Sequence, residues 1–191
     1  MRSRCFAIAA TLLLLSCAGA RTFINEDADW AFYQKVGVLP FVNLSPDRFA
    51  GEKFQSAFVT ELLLARKFQV VEPGEFNLKA AEALKGSATI GKEFSLDQIK
   101  AIGDKTGVQG VIEGVIKEYS MVRVGQADYP LISIEVKMID ASTGAVVWMT
   151  SYTKKGGPKF PIISLGETHT LSELTQKACH DVISNFISKA Y

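Results

Sequence analysis

Between Val111 and Thr153 the chain alternates apolar and polar residues through three successive runs, and this period of two constrains the fold more than any other feature. In Val111 to Tyr119, Ile112, Gly114 and Ile116 share one face while Glu113 and Lys117 point away. In Leu131 to Asp140, Ile132, Ile134, Val136 and Met138 oppose Ser133, Glu135 and Lys137. Val146 to Thr153 follows after Asp140-Ala-Ser-Thr-Gly144, a tight hairpin with glycine where a positive φ is wanted. Three such segments predict an antiparallel meander with one wet face, whose Glu and Lys residues form solvated cross-strand pairs.

The preceding half has a different rhythm. Lys35 to Asn43 is apolar on both alternating faces, as a strand covered on both sides would be, with pairing interrupted near Pro40. Phe54, Phe58, Leu62 and Ala65 form a helical stripe over Glu52 to Lys67, and Phe68 to Glu72 is a strand stopped by Pro73-Gly74. Glu75 to Leu84 reads as a short helix. Ser95-Leu-Asp-Gln98 is a capping box opening a helix that Gly107 closes, and Leu171 to Lys189 is the closing helix. The predicted fold class is α/β (α+β): a single domain with a mixed sheet of about five strands, a βαβ start, the meander, and helices packed mainly on one face.

The N-terminus sets location. Arg2 and Arg4 precede the apolar run Phe6 to Leu15, which is too short to span a bilayer, and small residues surround the end of that run. Leu14-Leu15-Ser16-Cys17 resembles the lipobox of bacterial lipoproteins. That resemblance implies cleavage before Cys17, covalent diacylglycerol on its sulfur and an acyl group such as palmitate on its amine. Residues 1–16 are then a signal peptide, 17–34 a lipidated N-terminus and tether, and 35–191 the periplasmic domain. The stretch from Ala18 to Gln34 has no sustained period and would reach at most ~55 Å.

Composition excludes several classes of function. Loss of Arg2 and Arg4 takes the formal net charge from +1 to −1, which leaves no electrostatic footprint for nucleic acid. Of three cysteines only Cys179 would remain in the body, so stability rests on the apolar core, and Cys179 reads as a buried helix residue. Two histidines, His169 and His180, make no metal motif, and no serine has a nucleophile-elbow context. The expectation is a non-enzyme with no catalytic residues, metal, cofactor or small-molecule substrate.

The loops Ser120 to Pro130 and Lys154 to Thr168 should leave the same end of the meander. The first carries Met121, Val122, Val124 and Tyr129, the second Phe160, Ile162, Ile163 and Leu165. Each loop either folds back over the core edge or exposes an interface, and together they are the candidate protein-contact surface.

The series V-G-V-L-P-F-V-N-L-S, G-E-K-F-Q-S-A-F-V-T-E-L-L-L-A-R-K-F-Q-V-V-E-P, T-G-V-Q-G-V-I-E-G-V-I and I-S-I-E-V-K-M-I-D-A-S-T-G-A-V-V-W resembles the CsgG-like lipoprotein superfamily, with its CsgG, HfaB and LpoB-type periplasmic domains. The resemblance runs from about Lys35 to Trp148. It implies an outer-membrane lipoprotein facing the periplasm that binds other envelope proteins or itself, with a ring as one form. The first expectation is an accessory or assembly component of curli-type export; the alternative is a regulator that binds and activates a peptidoglycan synthase. Neither loop has room for the two strands of about 9 to 11 residues that a membrane hairpin needs.

Overall fold

The computed structural model describes residues 21–85, 94–157 and 167–191. Seven strands form one mixed sheet: β1 (Arg21–Ile24), β2 (Lys35–Val38), β3 (Val42–Asn43), β4 (Gln69–Val70), β5 (Gly110–Val124), β6 (Ala127–Asp140) and β7 (Val146–Lys155). The helices are α1 (Ala50–Ala65), α2 (Pro73–Ala83), α3 (Leu96–Thr106) and α4 (Leu171–Ala190). The strand order is β1-β7-β6-β5-β2-β4, with β3 also on β5. β2 runs parallel to β4 and β5, whereas β5, β6, β7 and β1 pair antiparallel in turn.

The sheet has more strands than the five expected, for two local reasons. Pro40 lacks an N–H and breaks the first predicted strand into β2 and β3, which both pair with β5. The other addition, β1, lies in the segment expected as tether. Its described part belongs to the fold: Arg21 to Ile24 lie opposite Ser151 to Trp148 on the edge of β7. Trp30 and Tyr33 then pack on the core, the Trp30 ring meeting Phe186 edge-on at 5.3 Å.

The apolar core has two parts, one on each face of the sheet. Ile112, Ile116, Ile134, Val136 and Trp148 meet Phe54, Phe58 and Leu62 of α1 and Leu174, Ala178, Val182 and Phe186 of α4. Val111 and Ile139 face the other way, onto Phe76 of α2 and Ile99 and Ile102 of α3. Helices mainly on one face, as expected, describes the meander but not the Gly110 end, where α2 and α3 cover the second side. Val111 and Ile139 occupy the wet-face register there and still need burial. Gly37 permits this close approach, since a Cβ at that position would collide with the Phe76 ring.

The predicted helix signals operate as read. Ser95 Oγ accepts from the Gln98 N–H and the Gln98 side chain accepts from the Ser95 N–H, while Gly107 closes α3 at φ 69°. Cys179 is buried, with its thiol toward the Phe54 carbonyl at 4.0 Å, and burial pushes its pKa up. Polar pairs pin α4 to the sheet: Tyr152 and Lys154 donate to Asp181 Oδ2 at 2.5 and 2.6 Å.

Phe186 stands at the centre of the packing, stacked on Trp148 at 4.2 Å and on Phe68 at 5.8 Å. Phe186→Ala should destabilise the domain by about 3–5 kcal/mol through the cavity it leaves. Leu78→Ala, on the exposed side of α2, should stay within about 0.5 kcal/mol. Urea unfolding of the two variants checks both values.

Candidate functional site

The β5–β6 ladder extends well beyond its neighbours. β7 accompanies β6 as far as Leu131↔Lys155, while β5 and β6 pair on to Val124↔Ala127. Ser120 to Pro130, expected as a loop, is therefore mostly a projecting two-stranded hairpin. The reason is a change of phase. A bulge between Ile116 and Glu118 adds Lys117 to β5, so Tyr119 instead of Glu118 faces the core. The alternation continues past the bulge in the opposite parity, and Gly125 at φ 65° makes the turn.

Met121 and Val124 are 46% and 45% exposed, and Val122 and Tyr129, paired across the hairpin, are half-buried. Arg123 and Asp128 form an exposed pair at 3.7 Å. The Tyr129 ring stacks on His169 at 6.3 Å and lies against Gly157. Gly156 N–H donates to the Pro130 carbonyl at 2.7 Å, and Gly157 N–H to the Thr168 carbonyl at 3.0 Å. The described flanks of the second loop thus meet the base of the hairpin. Phe160, Ile162, Ile163 and Leu165 lie outside the described residues, as do the signal segment and Cys17.

On the helix side, Tyr119 floors a groove of about 580 Å³ between α1 and the start of α4. Lys53, Thr60 and Glu61 line one wall, and Leu171 and Thr175 the other. The Lys53 ammonium lies 5.6 Å from the Tyr119 ring and pairs with Asp47 at 2.8 Å. Thr175 Oγ1 sits 3.2 Å from Tyr119 Oη and donates to the Leu171 carbonyl. The groove is a feature that linear spacing could not reveal, because its walls come from residues over 100 positions apart.

A second depression of about 500 Å³ lies at the opposite end, lined by Asn25, Asp27, Phe32, Tyr33 and Asp140 among others. Asp140 is its fixed point. Its carboxylate accepts from Tyr33 Oη at 2.7 Å, from the Ser142 N–H and hydroxyl at 2.8 and 2.6 Å, and from the Thr143 N–H at 2.7 Å. Burial alone would raise its pKa, but these donors outweigh burial and hold it at about 2. The sequence placed Asp140 at the start of a tight turn; its distant partner Tyr33 was not legible.

The wet face is as expected, with Lys117–Glu135 at 2.6 Å and Lys137–Glu113 at 3.1 Å. His169 pairs with Glu167 and His180 with Glu61, at 2.7 and 3.1 Å. Among the described residues, no group of three or more His, Cys, Asp or Glu could hold a metal ion. Nor, among them, is any helix long and apolar enough to cross a membrane.

The described residues thus form a mixed α/β domain with a projecting hairpin and two open grooves. The chain belongs to the LpoB family, described as peptidoglycan-synthase activators, whose sequence model matches residues 22–153, from β1 almost to the end of β7. No curated protein matches it. Among solved structures it is similar to the PelC dodecamer from Paraburkholderia phytofirmans, at 19% identity over 87% of this chain and 94% of that one, TM-score 0.58. It is also similar to the lipoprotein GNA1162 from Neisseria meningitidis, at 16% identity over 81% and 99%, TM-score 0.53. The hypothetical protein CT253 from Chlamydia trachomatis matches at 9% identity over 80% and 95%, TM-score 0.55. These likenesses show a shared fold.

Asp140 generates a pH prediction. Its folded pKa lies below the ordinary 3.8, so its contribution to stability is full above pH about 4 and is lost as pH falls through about 2. Asp140→Asn should cost about 1–3 kcal/mol at neutral pH and should lose less further stability than the parent between pH about 4 and about 2. Denaturant unfolding across that range measures both effects.

Proposed function

We propose that this chain is a non-enzymatic regulator that binds a peptidoglycan synthase and raises its rate, acting from the outer membrane as a periplasmic lipoprotein. The observation that carries the reading is the family match over residues 22–153, which takes in part or all of every strand of the sheet and favours the activator over the curli-type export component. The surface chemistry agrees, since the open groove over Tyr119 and the depression around Asp140 suit contact with a protein partner.

In this reading Cys17 is the mature N-terminus and carries diacylglycerol and an N-acyl group, which together hold more firmly than one chain. No cofactor, nucleic acid or small-molecule substrate enters the mechanism. Binding to the synthase shifts it toward its active form, by as much as the regulator prefers that form.

The test is peptidoglycan polymerisation by candidate synthases from the same cell, with and without the purified protein. A rise in rate with at least one synthase is expected. No change across the candidates would refute the activator role. Cys17→Ser should leave activation in solution intact while removing the acyl mass and the membrane association of the protein in cells.

A further inference from the structure

The direction of β1 decides which end of the domain faces the lipid anchor. β1 is antiparallel to β7, and β7 runs in the same direction as β5, so the chain enters β1 from the end at which the β5–β6 hairpin projects. Arg21 lies opposite Ser151. Only three residues separate Cys17 from Arg21, and four Cα steps reach at most ~14 Å. The long standoff implied by a tether ending at Gln34 is therefore not available.

The hairpin reaches further than that link. From Ser151 to Lys155 is four residues, Lys155 pairs with Leu131, Leu131 pairs with Ser120, and Ser120 to Val124 is four more. At strand rise the tip stands ~26 Å beyond the level of Arg21. It thus overreaches by ~12 Å, along the strands, any position Cys17 can take. With the strands standing near the membrane normal, a membrane surface holding the acyl chains meets the hairpin before a folded partner can enter between them.

From this geometry we infer that the hairpin from Ser120 to Leu131 lies in the interfacial layer of the same membrane that holds Cys17, with Met121, Val122, Val124 and Tyr129 as its contacts. The inference rests on the lipoprotein reading of Cys17. Its chemistry suits that layer. Val124 and Met121 are exposed apolar residues on opposite faces near the tip, and Tyr129 combines an apolar ring with a polar hydroxyl. Arg123 and Asp128 stay at headgroup level as an exposed pair. Beyond β7 each strand has only four residues, less than half of what crossing requires, so the hairpin lies on the membrane and does not span it.

The test uses the full acylated chain reconstituted into vesicles of phosphatidylethanolamine and phosphatidylglycerol with brominated acyl chains. Val124→Trp and, as a second position, Met121→Trp report on the hairpin. Leu78→Trp, exposed on α2 near the other end, is the control, and the unsubstituted chain supplies the signal of Trp30 and Trp148. Quenching severalfold greater at the two hairpin positions than at Leu78 is the expected result. If the chain floats with the vesicles and carries acyl mass on Cys17, yet hairpin and control quench alike, the hairpin contact is wrong and the anchor stands. If Val124→Asp then abolishes synthase activation, the hairpin belongs to the protein partner instead. A chain that carries no acyl mass and does not float overturns the anchor reading and the inference together.

Discussion

The antiparallel ladder between β5 and β6 is the constraint on which the remaining structure is arranged. Its register from Gly110↔Asp140 to Val124↔Ala127 places three kinds of surface along one pair of strands. At its start the ladder is covered on both faces, by α1 and α4 on one side and α2 and α3 on the other. In its middle one face is wet and carries the Glu–Lys pairs. At its far end it has outrun β7 and projects as a hairpin. Because a strand alternates strictly, each region needs its residues in phase with the face it presents. The bulge between Ile116 and Glu118 resets that phase in β5 where the surroundings change, and a second one inserts Val147 into β7 opposite Met138 and Ile139.

The same bulges explain what could be read from the residues and what could not. Alternation from Val111 to Ile116 and from Leu131 to Met138 is uninterrupted, so both strands and their wet face were legible. The cap of α3 was legible because Ser95 and Gln98 act locally. The hairpin was not, because after Lys117 its apolar residues change parity and Met121, Val122 and Val124 look like an apolar loop. β1 was not, because four residues are too few to show a period, and its evidence is the edge of β7, over 120 residues away. The Tyr33–Asp140 bond and the groove over Tyr119 are products of chain separation of the same kind.

Polar interactions divide the work of holding this arrangement together. Asp140 gathers four donors and joins the segment after β1 to the β6–β7 turn. Asp181 joins α4 to β7 through Tyr152 and Lys154. Each lock ties an element outside the meander to the meander itself. They draw on charged hydrogen bonds that are partly or largely shielded from water, where such bonds count for more than on the surface. Fastened this way, β1 is a fixed feature of the domain, and the point at which the chain enters it is fixed as well.

A fixed entry point changes what a lipid anchor does. A domain on a long flexible tether samples all orientations and presents a given face to a partner only part of the time. In the proposed arrangement, with a link of at most ~14 Å and a hairpin that meets the same surface, the domain is held at two points and much of that freedom is removed. In that arrangement the β6–β7 turn, Phe32 and the depression around Asp140, which lie at the end of the sheet opposite the hairpin, face away from the membrane. Orientation settled in advance lowers the entropic cost of each encounter with a large partner, as preorganisation does for binding in general. Under the proposed function such a regulator needs no reacting group: its contribution is to hold a binding face where a synthase can meet it.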